Sequence, residues 1–156
     1  MPHVPTVVTQ PSDILQFVRA AQREGKRVGL VPTMGALHQG HLSLVKSSRE
    51  SCDITIVSIF VNPTQFAPGE DFEKYPRTLE SDVAKLADAG ADFVFAPSAA
   101  EIYRPGHSTH VEPPSVSLPL EGECRPGHFQ GVVTIVLKLF LMIPDDVDFF
   151  GRKDYQ

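Results

Sequence analysis

Apolar positions along the chain switch between two spacings, and the switches divide it into alternating helices and strands. From Ser12, which can cap a helix, Ile14, Leu15, Phe17, Val18 and Ala21 recur at helical spacing until Gly25 ends the run. Arg27–Pro32 is a short apolar strand; after a glycine-punctuated turn, Leu42, Leu44 and Val45 mark a second helix over Leu42–Ser51. Ile54–Val61 is β-branched and almost continuously apolar, the pattern of a strand covered on both faces of a parallel sheet. Asn62 and Pro63 end it, Pro68–Pro76 is a polar loop, and Thr78–Ala89 predicts a helix with Leu79, Val83, Leu86 and Ala87 inward and Gly90 closing it.

Ala91–Ala96 supplies another strand. Between Pro97 and Pro126, prolines and glycines are dense and only Thr109–Glu112 reads as a possible strand. Phe129–Ile143 is a strongly apolar helix, and Val147–Phe150 is a last short strand entering Gly151. The alternation predicts an α/β fold, a Rossmann-like open parallel sheet with helices on both faces and right-handed crossovers. No internal repeat is visible.

A length of 156 residues suits one domain, and 42% hydrophobic with 21% charged residues is an ordinary globular composition. Fourteen basic against nineteen acidic residues give a net charge of −5, with the basic residues scattered, which argues against a nucleic-acid surface. Cys52 and Cys124 form no CxxC pair and are read as reduced thiols, which fits a cytosolic protein. Met1–Gln10 lacks the features of a signal peptide. The most apolar run, Gly131–Ile143, is shorter than the roughly 20 residues of a membrane span and carries Lys138.

The chemistry concentrates in Pro32-Thr33-Met34-Gly35-Ala36-Leu37-His38-Gln39-Gly40-His41, which joins a buried strand to a helix where ligands bind in open α/β sheets. Gly35 and Gly40 have the GxxxxG spacing of a Walker A loop, but His41 and Leu42 replace its lysine and hydroxyl residue, which argues against a P-loop. Glycines and free N–H groups at a helix start still suit a phosphate. His38 and His41, three apart, fall on one face of that first turn and can donate to phosphate oxygens as charge shifts. The alternative is that both merely cap the helix or pack in the turn.

HxGH after a strand resembles the nucleotidylyltransferase superfamily, which includes class I aminoacyl-tRNA synthetases. The fuller series PTMGALHQGH, SIFVNPTQF, YPRTLE, LEGECRPGHFQGV and FFGRKDYQ, in order, resembles the pantoate:beta-alanine ligase family from Gly29 onward. The resemblance implies a two-step reaction. Pantoate and ATP, with magnesium, give pantoyl adenylate and pyrophosphate; beta-alanine then gives pantothenate and AMP.

Carried over by position, the resemblance implies that Met34, Gly35, Ala36, Leu37, His38, Gln39, Gly40 and His41 hold ATP, with His41 as proton donor. Gly151, Arg152, Lys153 and Asp154 form the second ATP segment, with Lys153 joining His38 and His41 as a catalytic group; without the resemblance this pair of charges would read as a solvated turn. Asn62 and Gln65 match the amides that contact the organic substrates, a task suited to groups that donate and accept without charge. Asn62-Pro63 alone would be an ordinary turn. Arg125 and His128 belong to the same substrate set, with a structural loop role as the alternative.

The chain departs from the family at Arg152, where glutamate is usual, and in length. The resemblance places a pantoate-binding glutamine and a C-terminal domain with a phosphate-closing Ser-Arg segment beyond Gln156, so residues 1–156 read as a single N-terminal nucleotide-binding domain with poor turnover alone. It also implies a homodimer formed through this domain. Magnesium ligands stay open; Asp82 and Glu80 are candidates only as carboxylates. Three rival readings are a metal-binding module built on His38, His41, His107 and His110, a nucleotidyltransferase acting on a phosphorylated alcohol, and a purely structural or dimerisation domain.

Overall fold

In the computed structural model, which describes residues 4–70, 72–154 and 156 (for Asp154 the backbone only), the two spacings resolve into one parallel sheet covered on both sides. Its strands are β1 (Thr6–Val8), β2 (Val28–Thr33), β3 (Ile54–Ile59), β4 (Phe93–Phe95) and β5 (Val147–Asp148), in the order β1-β4-β3-β2-β5. The helices are α1 (Pro11–Arg23), α2 (Gln39–Ser51), α3 (Leu79–Ala89), α4 (Ala99–Ile102), α5 (Glu121–Cys124) and α6 (His128–Met142), with short 3-10 turns at Pro63–Gln65, Ser115–Ser117 and Arg152–Asp154.

Strand side chains alternate between two apolar clusters, as the period of two requires. On one face Val28, Leu30, Ile56 and Phe95 pack with Ile14 and Val18 of α1 and Ile135 and Leu139 of α6. On the other, Val31, Val57 and Val94 pack with Val45 of α2 and Leu86 of α3. Each of the fully buried side chains removes enough apolar surface from water to contribute roughly 1.5–3 kcal/mol before conformational entropy is charged against it.

The connections use both faces in turn. From β2 the chain runs through α2 to its neighbour β3, then through α3 to β4; α6 then carries it back across to β5, on the opposite side of β2. The strand order therefore reverses at β2 and β5, and a crevice opens between the carboxyl ends of strands at such a reversal.

Several sequence expectations are corrected. Strand β1 lies outside the predicted elements, although Thr6–Thr9 is β-branched throughout. Helix α1 begins at Pro11, with Gln10 as its N-cap; Ser12 lies inside the first turn and its hydroxyl bonds Asp13. Helix α2 begins at Gln39, three residues before the first apolar position of its stripe. No strand forms at Thr109–Glu112, where the Val111 N–H donates to the Thr134 side chain at 3.0 Å instead of to a neighbouring strand. Among the described residues no helix is long and apolar enough to cross a membrane. Cys52 is buried and Cys124 exposed, and both are free thiols.

Candidate functional site

Three of the singled-out segments leave the carboxyl ends of adjacent strands. The glycine turn follows β2, Asn62 and Gln65 follow β3, and Gly151–Asp154 follows β5, so the β2 turn lies between the other two. A shallow depression lined by Lys26, Asp53 and Asp92 lies at the opposite, amino end of the sheet and is remote from all three.

The glycine turn is held open by a side chain from α3. Asp82, fully buried, accepts from the Ala36 N–H at 2.8 Å, the Leu37 N–H at 2.9 Å and the Thr78 hydroxyl at 2.9 Å, with Lys85 Nζ 3.6 Å away. These charge-assisted bonds stabilise a backbone that would otherwise be disfavoured, because Ala36 sits at φ +51° and Gly35 at φ +83°. A side chain at Gly35 would also press on Ile59 and on Asp82 itself. Lys85 closes the other side by donating to the Leu37 carbonyl at 2.9 Å, and the Thr33 hydroxyl accepts from the Gly35 N–H at 3.1 Å. Both Asp82 oxygens are thus engaged by the turn. Glu80 is exposed.

The two histidines form the start of α2. His38 is its N-cap: its Nδ1 accepts from the Gly40 N–H at 3.1 Å, while Nδ1 of His41 accepts from the His38 N–H at 3.4 Å. Gly40 lies close beneath the His38 ring, where an added Cβ would come within 2.9 Å of Cε1. That contact gives a physical reason for glycine between the two histidines. The capping role that the sequence left as an alternative is therefore real, and it has a chemical consequence. Since each Nδ1 accepts, each neutral ring carries its proton on Nε2, so both imidazoles are donors at that atom. The rings lie 4.1 Å apart, tilted by 37°.

Behind the turn, Asn62 is buried and its amide is fully used. Its Oδ1 accepts from Tyr103 Oη at 2.7 Å and from Thr64 Oγ1 at 3.0 Å, while Nδ2 donates to Gln65 Oε1 and to the Gly131 carbonyl, each at 3.1 Å. Gln65 in turn points Nε2 at the Met34 sulfur, 3.1 Å away. Gln65 and Met34 thus meet directly at the turn, whereas Asn62 stands behind Gln65 and touches the site through it.

Arg125 and His128 converge on the same residue from the start of α6. His128 Nδ1 lies 2.9 Å from the Gln65 carbonyl, which can only accept, so Nδ1 carries the proton. Arg125 Nη2 also reaches that carbonyl, at 3.5 Å, and its guanidinium forms a two-bond pair with Glu70 at 2.8 and 3.0 Å. The Arg125 guanidinium holds the Glu70 carboxyl far below the usual carboxylate range, at about 2. Both side chains are engaged by the loop, in line with the structural alternative the sequence left open.

Arg152 and Lys153 are exposed on the 3-10 turn after β5, and Lys153 is close enough to Tyr75 to act on its phenol electrostatically. The Asp154 side chain lies outside the described residues. His107 and His110 stand 5.7 Å apart by ring centroids, with His107 edge-on to Tyr103; among the described residues no group of three or more His, Cys, Asp or Glu side chains is placed to hold a metal. Tyr103 and Glu70 are contributors that sequence reasoning did not single out, and Asp82 was offered only as a magnesium candidate and not as the support of the turn. Each acts across 40 or more residues, and no local motif marks it.

Comparison with known proteins gives concordant results. Residues 6–156 match the family model described as pantoate-beta-alanine ligase. The chain is 51% identical over 150 residues to pantothenate synthetase 1 of Bradyrhizobium diazoefficiens, covering 96% of this chain and 53% of that one. It is 56% identical over 143 residues to the pantothenate synthetase of Rhodopirellula baltica, covering 90% and 50%. Among solved structures it resembles the pantothenate synthetase of Thermus thermophilus (TM-score 0.89, 46% identity, 96% and 53% coverage). It also resembles the pantoate-beta-alanine ligase of Francisella tularensis complexed with beta-gamma ATP and beta-alanine (TM-score 0.91, 39% identity, 97% and 58% coverage). The chain spans about half the length of the curated relatives it matches.

Proposed function

The chain belongs to the pantoate-beta-alanine ligase family, and from that premise we propose that it is the nucleotide-binding domain of an ATP-dependent ligase that condenses pantoate with beta-alanine through pantoyl adenylate. The observation that carries this reading is the arrangement of the glycine turn, Gln65 and the Gly151–Asp154 segment on adjacent strand ends around the reversal of strand order. A triphosphate laid across the start of α2 meets the positive end of that helix and the Nε2 donors of His38 and His41. Gly151 permits close approach of the nucleotide, and Arg152 and Lys153 add positive charge on the β5 side. Gln65, behind Met34, offers its amide to the acid.

In the first step a pantoate carboxylate oxygen attacks the α-phosphorus of ATP; its bond to the bridging oxygen breaks and pyrophosphate leaves. Lys153 and the two histidines stabilise the charge gathering on the phosphate oxygens, with His41 the proton donor to the leaving group. In the second step the amine of beta-alanine attacks the acyl carbon, AMP leaves, and the amine loses a proton. Magnesium fits this donor set as an ion carried on the ATP phosphates, since Asp82 is committed to the turn and Glu80 is exposed. When bound it supplies neutralisation of the phosphate charge.

We further place the protein in the cytoplasm, as a homodimer, with slow turnover by these 156 residues alone because the relatives are about twice as long. Calorimetric titration with ATP-magnesium and, separately, with pantoate tests the reading. Saturable binding of both is expected, with His41→Ala weakening ATP roughly tenfold or more for the loss of a charge-assisted bond. Saturable ATP binding unchanged by His41→Ala would place the nucleotide elsewhere and overturn the assignment.

A further inference from the structure

Gln65 is held by a chain of hydrogen bonds that runs in one direction. Tyr103 Oη donates to Asn62 Oδ1 at 2.7 Å, Asn62 Nδ2 donates to Gln65 Oε1 at 3.1 Å, and Gln65 Nε2 donates to the Met34 sulfur at 3.1 Å. The polarity is fixed by partners with no choice of role. The Thr64 N–H can only donate, which places Oδ1 of Asn62 towards it at 3.4 Å, and the Gly131 carbonyl can only accept, which places Nδ2 on the other side. With both Asn62 hydrogens used, Gln65 must present its oxygen to Asn62 and its NH2 to the turn.

The chain begins at a well-anchored phenol. The Tyr103 ring packs against Phe60 at 6.4 Å and carries Lys138 Nζ over its face at 5.2 Å, while Lys138 also donates to the Ile102 carbonyl at 3.1 Å. Burial pushes the phenol's pKa up, so it stays protonated and remains a donor. The chain ends at a thioether, among the weakest acceptors in a protein. A nearly buried amide donor therefore meets a soft partner that any ligand oxygen can replace with a stronger bond.

We propose that Tyr103 is a positioning residue that orients the amide of Gln65, through Asn62, so that the acid subsite offers an N–H donor and selects a ligand presenting an oxygen acceptor. The proposal rests on the reading of Gln65 as an acid-binding group, and it deepens that reading by naming what buttresses and polarises an amide whose sense Thr64 and Gly131 fix. Each donor in the series is polarised by the bond behind it, so removing the first weakens the last without touching the ligand.

The test uses Tyr103→Phe, which keeps the ring against Phe60 and Lys138 and removes only the hydroxyl, with thermal unfolding to establish that the variant folds. Two quantities are read: solvent exchange of the Gln65 side-chain NH2 by nitrogen-15 NMR without ligand, and affinities for pantoate and ATP-magnesium by calorimetry. Faster Gln65 amide exchange, pantoate binding weaker by roughly three- to tenfold, and ATP affinity within about twofold of wild type are expected for the loss of one hydrogen bond. Unchanged amide exchange overturns the proposal. So do pantoate affinity unchanged from wild type and an equal fall in both affinities, the last because it marks a merely structural role. If the wild-type protein binds no pantoate, the acid-binding reading fails, while the amide-exchange arm still decides whether Tyr103 orients Gln65.

Discussion

Asp82→Asn is the perturbation that most sharply separates a held-open nucleotide turn from an ordinary loop. In the wild type two backbone N–H groups and one hydroxyl converge on the two carboxylate oxygens at 2.8–2.9 Å, in a fully buried position. Asparagine keeps one acceptor but turns an NH2 towards the second backbone N–H, so one buried donor loses its partner and faces another donor. A charge-assisted hydrogen bond contributes about 1.5–3 kcal/mol and a stranded buried donor costs a similar amount, so a net loss of about 2–4 kcal/mol is expected. The positive φ of Ala36 adds to it, since that conformation is strained by ~1 kcal/mol or more and persists only while its surroundings impose it. For a chain of this size each kcal/mol lowers the melting temperature by about 2–4 °C, so calorimetric scans are expected to show a fall of roughly 5–15 °C. ATP affinity, measured well below the new transition, is expected to fall as well, because the turn that leads into His38 and His41 is no longer held in place. A variant that melts within about 1 °C of wild type, or that binds ATP undiminished, would refute the claim that Asp82 shapes the turn.

Three further outcomes follow from the geometry. Alanine at Gly131 would place a methyl 2.5–2.7 Å from the backbone of Thr64 and Gln65, so Gly131→Ala is expected to destabilise by about 1–2 kcal/mol in urea unfolding although alanine is the better helix former. Replacing Arg125 with methionine is expected to let the Glu70 carboxyl, read by carbon-13 NMR, titrate near the ordinary carboxylate range instead of at about 2. Burial, with Asp148 nearby, pushes the Asp145 carboxyl up to about 7. A raised folded-state pKa contributes stability that is complete below the ordinary carboxylate range and is lost as pH rises through about 7, so Asp145→Asn is expected to flatten the fall in melting temperature between pH 4 and 8.

The segments proposed to carry the chemistry are local, and that decides how they could be read. The glycine turn marks itself within ten residues, whereas the amides after β3 and the Gly-Arg-Lys-Asp run are singled out only through the family resemblance; of the buried strands, β2 shows as a short apolar run and β3 as a mostly β-branched one. What the sequence hid was non-local or too short to show a period. Strand β1 has three residues of which only Val8 reaches the core, so no alternation was available to read. At Thr109–Glu112 the β-branched residues suggested a strand, but the Val111 N–H was taken by Thr134, which left no ladder to build. The first turn of α2 carries no apolar residue and is set by two histidine caps, so its apolar stripe began late. Asp82 could be read only as one carboxylate among nineteen acidic residues, since its partners lie 45 and 46 positions away. Tyr103 was invisible for the same reason.

The central claim, that nucleotide and acid meet at the carboxyl ends of β3, β2 and β5, is tested most directly by mapping backbone and side-chain NMR shifts as each ligand is added. ATP-magnesium is expected to move Gly35–His41 together with Gly151–Lys153, and pantoate to move Gln65 and Met34. Shifts confined to the depression around Lys26, Asp53 and Asp92 at the other end of the sheet would contradict the account.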